Sequence, residues 1–417
     1  MLARGFAACM AVVALLGAPT HGHAQAPSIT LADALRRAEQ SNPELRIAAS
    51  EAASAKGIAR ASRRPVFNPE LEAEFGRFQD PSPTSSIYSF GLSQRFELGG
   101  KRGSRIRAED QRALAADARV VRRAQEVWAR VFRAFSFAQI ARLRSATARE
   151  AEQVAVQLKA AADERLILGA GTQLEVNVAA AAASRERRAR LQAEREAASA
   201  SLELASAIGL SATEAPEPAG ELVLPPPETR TESELVALAL AQRSDLRAAI
   251  ADQEAARSNL RVARGLAWPD PALSATAARE ESRTLRFGIS FPLPLLNQGQ
   301  VFRAEAAGLL ERAEITQSAA RQEIAREVRD ALQAYQRALE AHAGFDRDAV
   351  ERLSENLRLA EESFRAGKIG LLVFSTVRRD LVEARLSYLD ATADLIERRI
   401  LLALAVAEPL PRMTERQ

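Results

Sequence analysis

Residues 85–107 read SSIYSFGLSQRFELGGKRGSRIR, and this stretch decides the fold. Tyr88, Phe90 and Leu92 alternate with Ser89, Gly91, Ser93 and Arg95, the period of two that gives a strand one apolar and one polar face. At Gly99-Gly100 the alternation stops, and a charged, alanine-rich helical pattern starts at Lys101. The same event recurs about 200 residues later, as an internal repeat would require, in residues 285–305, LRFGISFPLPLLNQGQVFRAE. There Phe287-Gly288-Ile289-Ser290 repeats Phe90-Gly91-Leu92-Ser93, and Arg303-Ala304-Glu305 repeats Arg107-Ala108-Glu109. Pro292 and Pro294 end the second strand because proline cannot donate to a ladder.

Outward from these junctions the chain divides into residues 1–26, a first repeat at 27–208, a proline-rich connector at 209–230, a second repeat at 231–408 and a loose tail at 409–417. In the first repeat a helix is predicted from Thr30 to about Arg64, with Thr30 and Asp33 as a capping pair and a kink at Pro43. A hairpin over about 67–97 follows. Leu71, Ala73 and Phe75 face away from Glu72, Glu74 and Gly76, and Asp80-Pro81-Ser82-Pro83 makes the turn. From Lys101 to about Glu164 the pattern is helical without a break. A seven-residue step picks out Ala113, Val120, Val127, Ala134, Ala141, Ala148, Ala155 and Ala162, the signature of left-handed supercoiling with a close partner. Gly169-Ala170-Gly171-Thr172 breaks the helix, and Gln173 to Ile208 returns.

The second repeat follows the same order. A helix is predicted over Glu232–Arg264, a hairpin over about 268–292, and a long helix from about Gln300 to Arg365. Gly367 and Gly370 break that helix, and a return helix runs from about Leu372 to Ala407. The fold class is therefore mainly α with a small β part.

Composition narrows the function. Apolar content is 47% but aromatics are only 5%, which suits long helices packed through thin seams. The 57 basic and 54 acidic residues are interspersed, leaving +3, so most charge belongs on solvated helix faces and no nucleic-acid surface is expected. Residues 1–26 read as an export signal: Arg4, the apolar run Phe6–Leu16, and Ala24-Gln25-Ala26 for cleavage. Phe6-Ala7-Ala8-Cys9 lacks the preceding apolar run of a lipidation site. Cys9 is the only cysteine, so the mature chain is expected to lack thiol chemistry.

Catalysis and cofactors are not expected. Gly99-Gly100-Lys101 is no phosphate loop, because Arg95 and Arg102 stand where that motif needs Gly and Ser or Thr. Only His342 survives signal removal, and its seven-residue neighbours Val328, Tyr335 and Ala349 place it on a packing seam. One histidine and no cysteine leave no ordinary zinc or copper site. Glu72, Glu74 and Glu175 could instead line a passage as carboxylate rings, and Phe67, Tyr88 and Trp268 could sit at membrane interfaces. Four strands of bilayer-spanning length cannot close a membrane barrel, which begins at eight, and open edges are not tolerated in lipid. If they enter a membrane, copies of the chain must share one barrel.

On these repeats and junctions, over essentially all of the mature sequence, the chain resembles outer-membrane efflux proteins of the TolC family. Phe96-Glu97-Leu98-Gly99-Gly100-Lys101-Arg102 and Phe291-Pro292-Leu293-Pro294-Leu295-Leu296-Asn297 resemble its heavy-metal (CzcC/CusC-type) branch most. The resemblance implies a homotrimer with a twelve-stranded barrel and a periplasmic helical tunnel, docked to a periplasmic adaptor and an inner-membrane proton-driven pump of the RND type. It implies a passive conduit for heavy-metal cations; drugs or secreted polypeptides would be an alternative cargo, and a soluble coiled-coil scaffold an alternative of another class. It also places a gate at the helix turns. One turn holds Gly169, Gly171, Thr172 and Glu175; the other holds Gly367, Gly370, Leu371, Leu372 and Phe374, with Arg378, Arg379 and Asp380 close by. Phe364 and Val373 stand where the family often has tyrosine and aspartate, so in place of the family's polar lock Leu371, Leu372 and Phe374, together with Arg378, Arg379 and Asp380, are expected to seal the second turn. Gly99, Gly100, Pro292 and Pro294 are the strand-to-helix joints.

Overall fold

The computed structural model describes residues 28–78, 85–222, 224, 226–279, 282–344 and 347–408. The predicted export signal, the Asp80–Pro83 turn and the tail lie outside the described residues. In chain order the elements are β1 (Ser28–Ile29), α1 (Leu31–Ser41), α2 (Pro43–Ala61), β2 (Glu70–Phe78), β3 (Ser85–Arg95), α3 (Lys101–Ile167) and α4 (Gln173–Ala207). Then come β4 (Glu217–Pro218), α5 (Glu232–Gln242), α6 (Ser244–Gly265), β5 (Ala272–Arg279), β6 (Arg283–Ser290), α7 (Gln300–Ala343), α8 (Arg347–Arg365) and α9 (Leu371–Val406).

The first long helical pair forms as the periodicity demands. All but one residue of the seven-step seam on α3 are buried, and Val120 is half-buried. Alanine along that seam lets α4 lie close against α3, since the interhelical distance is set by the side chains at the contact. Larger side chains gather where the short helices dock. Ala34, Leu35 and Ala38 of α1 pack on Val127, Val131 and Phe135 of α3 and on Leu204 and Ile208. Leu235 and Ala239 of α5 do the same on Ile324, Val328, Leu332 and Tyr335 of α7 and Leu402 of α9.

Three expected helices are each two. The helix over Thr30–Arg64 breaks fully at Asn42, which caps α1 and then α2: its side chain accepts from the Glu44 N–H, and its amide donates to the Ala207 carbonyl at 3.1 Å. The expected Glu232–Arg264 helix breaks at the corresponding Arg243, without any proline. Arg243 is buried, bonded to Asp245 and Glu327, with Nη1 also reaching the Ala405 carbonyl. The expected Gln300–Arg365 helix ends at Ala343 and resumes at Arg347, with Gly344 at the C-cap. The connector is tethered to the helices: β4 pairs in parallel with β1, and Gln139 donates to the carbonyls of Gly220 and Glu221.

The four long strands make one antiparallel sheet, ordered β2-β3-β5-β6. β3 pairs with β5 across the repeats, so β2 and β6 remain as edges.

Candidate functional site: a two-faced sheet and two helical tips

Register aligns the sheet into rows. Leu71, Leu92, Ala275 and Phe287 form one row, and Ala73, Phe90, Ala277 and Leu285 the next. This face is apolar and open to its surroundings: Leu71 and Phe75 are each 75% exposed, Phe287 80%. A soluble fold would cover such a surface. The opposite face is small and polar. Its rows run Glu70-Ser93-Ser274-Gly288, Glu72-Gly91-Thr276-Arg286 and Glu74-Ser89-Ala278-Thr284. Ser89 donates to Glu74 at 3.2 Å. Of the sequence-predicted interface aromatics, Tyr88 lies toward the strand-joining turns, whereas Phe67 and Trp268 lie at the helical end.

The strand-to-helix joint is held by charge. Lys101 Nζ is 2.7 Å from Asp270 and donates to the Trp268 carbonyl, and Asp270 also accepts from the Leu98 N–H. Gly99 and Gly100 adopt φ of +70° and +72°, which carries the chain sharply from strand into helix. A Cβ on Gly99 would meet the Trp268 side chain at 2.9 Å. Arg105 spans the same corner, donating to Glu97 and to the Ser62 carbonyl. Pro292 and Pro294 lie in the coil between β6 and α7, and Leu293, Leu295 and Leu296 beside them are exposed.

Both helical tips use one device. The Gly169 and Ala170 amides donate to the carbonyls of Leu166 and Arg165, and those of Gly367 and Lys368 to Phe364 and Ser363, each glycine having φ near +70°. Thr172 and Glu175 form a reciprocal capping box, so the Glu175 carboxylate is engaged by the Thr172 N–H at 3.1 Å and is no free lining charge. Gly370 takes extended backbone as N-cap of α9.

Several expected gate residues are interior. Leu371 packs against Ala162 and Ala179, and Phe374 stacks on Phe364 at 5.2 Å. Arg378 is buried: its Nη2 donates to the Ala151 carbonyl at 2.8 Å and lies 3.7 Å from Glu186. Burial pushes its pKa below the ordinary arginine value, with Glu186 partly opposing. Leu371, Phe374 and Arg378 therefore bind α9 to α3, α4 and α8 and are committed to packing. Leu372 and Val373 are exposed, and Asp380 faces Arg379 at 3.6 Å with both side chains open.

A crevice of about 520 Å³ lies between α2, α3, α6 and α7, most of its charges paired. Arg119 bonds Asp252, and Arg122 and Arg123 bond Glu126. Burial raises the Asp252 pKa against the pull of Arg119 and Arg112. Where the connector meets α9, burial pushes Glu228 up, but hydrogen bonds and charge from Arg230 and then Arg399 hold it below the ordinary glutamate value. His342 lies 5.3 Å from the Tyr388 ring, below the buried Val328 and Tyr335 on α7. Among the described residues no cluster of three or more metal-ligating side chains occurs, and no helix is long and apolar enough to cross a membrane.

The sequence model for outer membrane efflux proteins matches residues 34–210 and 235–408. A search of curated proteins gives no match. Similar solved structures include the Campylobacter jejuni CmeC outer membrane channel, with TM-score 0.75 and 17% identity over 97% of this chain and 94% of that one. The Vibrio cholerae outer membrane protein VceC aligns with TM-score 0.73 and 19% identity over 90% and 95%. CusC, described for its transmembrane channel formation, aligns with TM-score 0.72 and 20% identity over 90% and 91%.

Proposed function

Because the chain belongs to the outer membrane efflux protein family, we propose that it works as a passive homotrimeric conduit carrying cations, heavy-metal ions foremost, out of the cell. Its place is the outer membrane, with the helices on the periplasmic side. The observation that carries the proposal is the two-faced sheet. Its exposed apolar face suits hydrocarbon, and its polar face presents Glu70, Glu72 and Glu74 against two cations, Arg95 and Arg286. Three such sheets joined β6 to β2 would give twelve strands and no open edge, as lipid requires. The same union would line the lumen with nine carboxylates against six arginines, a net negative environment favourable to cations.

The helices favour the same union. Ile47 and Ile58 on α2, and Val301, Phe302, Leu309 and Ile315 on α7, are exposed in one protomer. These two helices stand at opposite ends of the contact series α2, α3, α6, α7, so each would meet the other's copy. A periplasmic adaptor and an inner-membrane pump would engage the far tips, where Leu372, Val373, Arg379 and Asp380 remain free to form a gate. A soluble scaffold does not fit a family of outer-membrane proteins.

The test is metal tolerance and accumulation in a deletion strain, across cobalt, zinc, cadmium, nickel, copper and silver, with several drugs alongside. Sensitivity to a subset of cations, restored by the wild-type chain and not by E72Q/E74Q, is the expected result. Sensitivity to drugs alone would keep the conduit and refute the cation cargo.

A further inference from the structure

The last row of the apolar face that crosses all four strands, next to the strand-joining turns, starts at Phe75 and ends in charge. Tyr88 on β3 pairs with Arg279 on β5, which pairs with Arg283 on β6. By alternation these residues share the face of Phe90, Leu285, Phe287 and Ile289. Both arginines are exposed, and Arg279 Nη1 donates to the Tyr88 hydroxyl at 3.3 Å. Two like charges directly opposite on neighbouring strands repel, so this pairing weakens the isolated sheet.

Position gives the pair a role. From Phe291, just past the end of β6, to Arg283 is 291 − 283 = 8 residues. That is about 27 Å along a strand, or roughly 20 Å of height at a tilt near 40°. An outer-membrane apolar band is about 25 Å tall. With Phe291 at the boundary nearer the helices, the arginines stand within about 5 Å of the opposite one, where a long side chain reaches the headgroups. An arginine on the lipid face is costly at mid-bilayer and nearly free at the interface.

The geometry points to Arg279 and Arg283, with Tyr88 orienting the first, as a binding site for the phosphate groups of a phosphorylated outer-leaflet lipid. Guanidinium forks bind phosphate in bidentate fashion, and one multiply charged headgroup relieves the repulsion between them. Glu280 and Glu281, next in sequence after Arg279, lie outside the described residues. The inference rests on the outer-membrane placement of the sheet and goes beyond it by assigning a lipid chemistry.

The test uses the full chain, purified and placed in nanodiscs carrying either lipid A or dephosphorylated lipid A. Native mass spectrometry counts the lipid retained. Wild-type protein should retain lipid A about tenfold over the dephosphorylated form, the preference expected of charge-assisted bonds. R279Q/R283Q should lose the preference, and R279K/R283K should keep part of it. R286Q, on the opposite face of the same strand, and E280Q/E281Q should keep all of it. An undiminished preference in R279Q/R283Q overturns the proposal. So does a wild-type protein that inserts and shows no preference. Failure of the wild-type chain to insert in either disc would instead refute the barrel, a separable outcome.

Discussion

Lys101, buried, and Asp270, half-buried, lie 169 residues apart (270 − 101) and form an ion pair at 2.7 Å that joins the start of α3 to the loop leading into β5. The pair fixes the angle between sheet and helices, because Asp270 also holds the Leu98 N–H. Breaking a buried pair leaves one charge uncompensated, at about 3–5 kcal/mol, whereas replacing both partners with apolar groups is often near neutral. K101M should therefore lower the urea midpoint strongly, and K101M/D270L should recover most of the loss. Equal destabilisation by single and double variants would show that the corner is held by packing instead.

Gly209 and Ala407 end the two return helices in the same left-handed conformation, with φ of +75° and +59°. Each next residue's N–H reaches five residues back, Leu210 to Ala205 and Glu408 to Ala403. For alanine that conformation costs about 1–2 kcal/mol. A407G should raise stability by about 1 kcal/mol. G209A should lower it by more, since its Cβ would also meet the Ser41 carbonyl group at 3.0 Å. Thermal denaturation of both variants checks the pair.

At the second tip, packing and gating residues should separate. F374A and L371A empty interior sites and should each cost about 2–5 kcal/mol of stability. R379Q, D380N and L372A alter exposed groups and should leave stability within about 0.5 kcal/mol. These three should change single-channel conductance in planar bilayers. Unchanged conductance in all three would move the gate elsewhere.

The strands, their faces and the glycine joints were legible because period-two alternation and left-handed glycines are local signals. The breaks at Arg243 and Gly344 were not. Arg243 is held by Glu327 and the Ala405 carbonyl, partners far along the chain, and a single glycine does not interrupt helical periodicity on its own. The interior placement of Leu371, Phe374, Arg378 and Leu381 carried a readable signal, the 3-4-3 spacing of a helical seam. The arginine within it hid that seam, since an unpaired arginine is rarely buried. The rim arginines were visible as residues, but only the register between β5 and β6 sets them opposite each other.

Glu228 predicts a pH dependence. Its folded pKa lies below the ordinary glutamate value, so its charge contributes stability above about pH 4.3, lost as pH falls through the lower folded value. Wild-type protein should lose stability below about pH 4, and E228Q should be weaker at neutral pH with a flatter acid limb. Identical acid profiles for the two proteins would remove Glu228 from the account.

The most direct test of the central claim is cross-linking between the two sheet edges. The only cysteine in the sequence is Cys9, within the predicted signal, so introduced cysteines report without background. F287C on β6 would be combined in turn with L71C, A73C and F75C on β2, and cells oxidised before denaturing electrophoresis. Within one protomer these edges are separated by β3 and β5 and cannot bond. The account predicts that one pairing yields a covalent trimer in the outer-membrane fraction. Monomers from all three pairings would contradict a barrel closed between protomers.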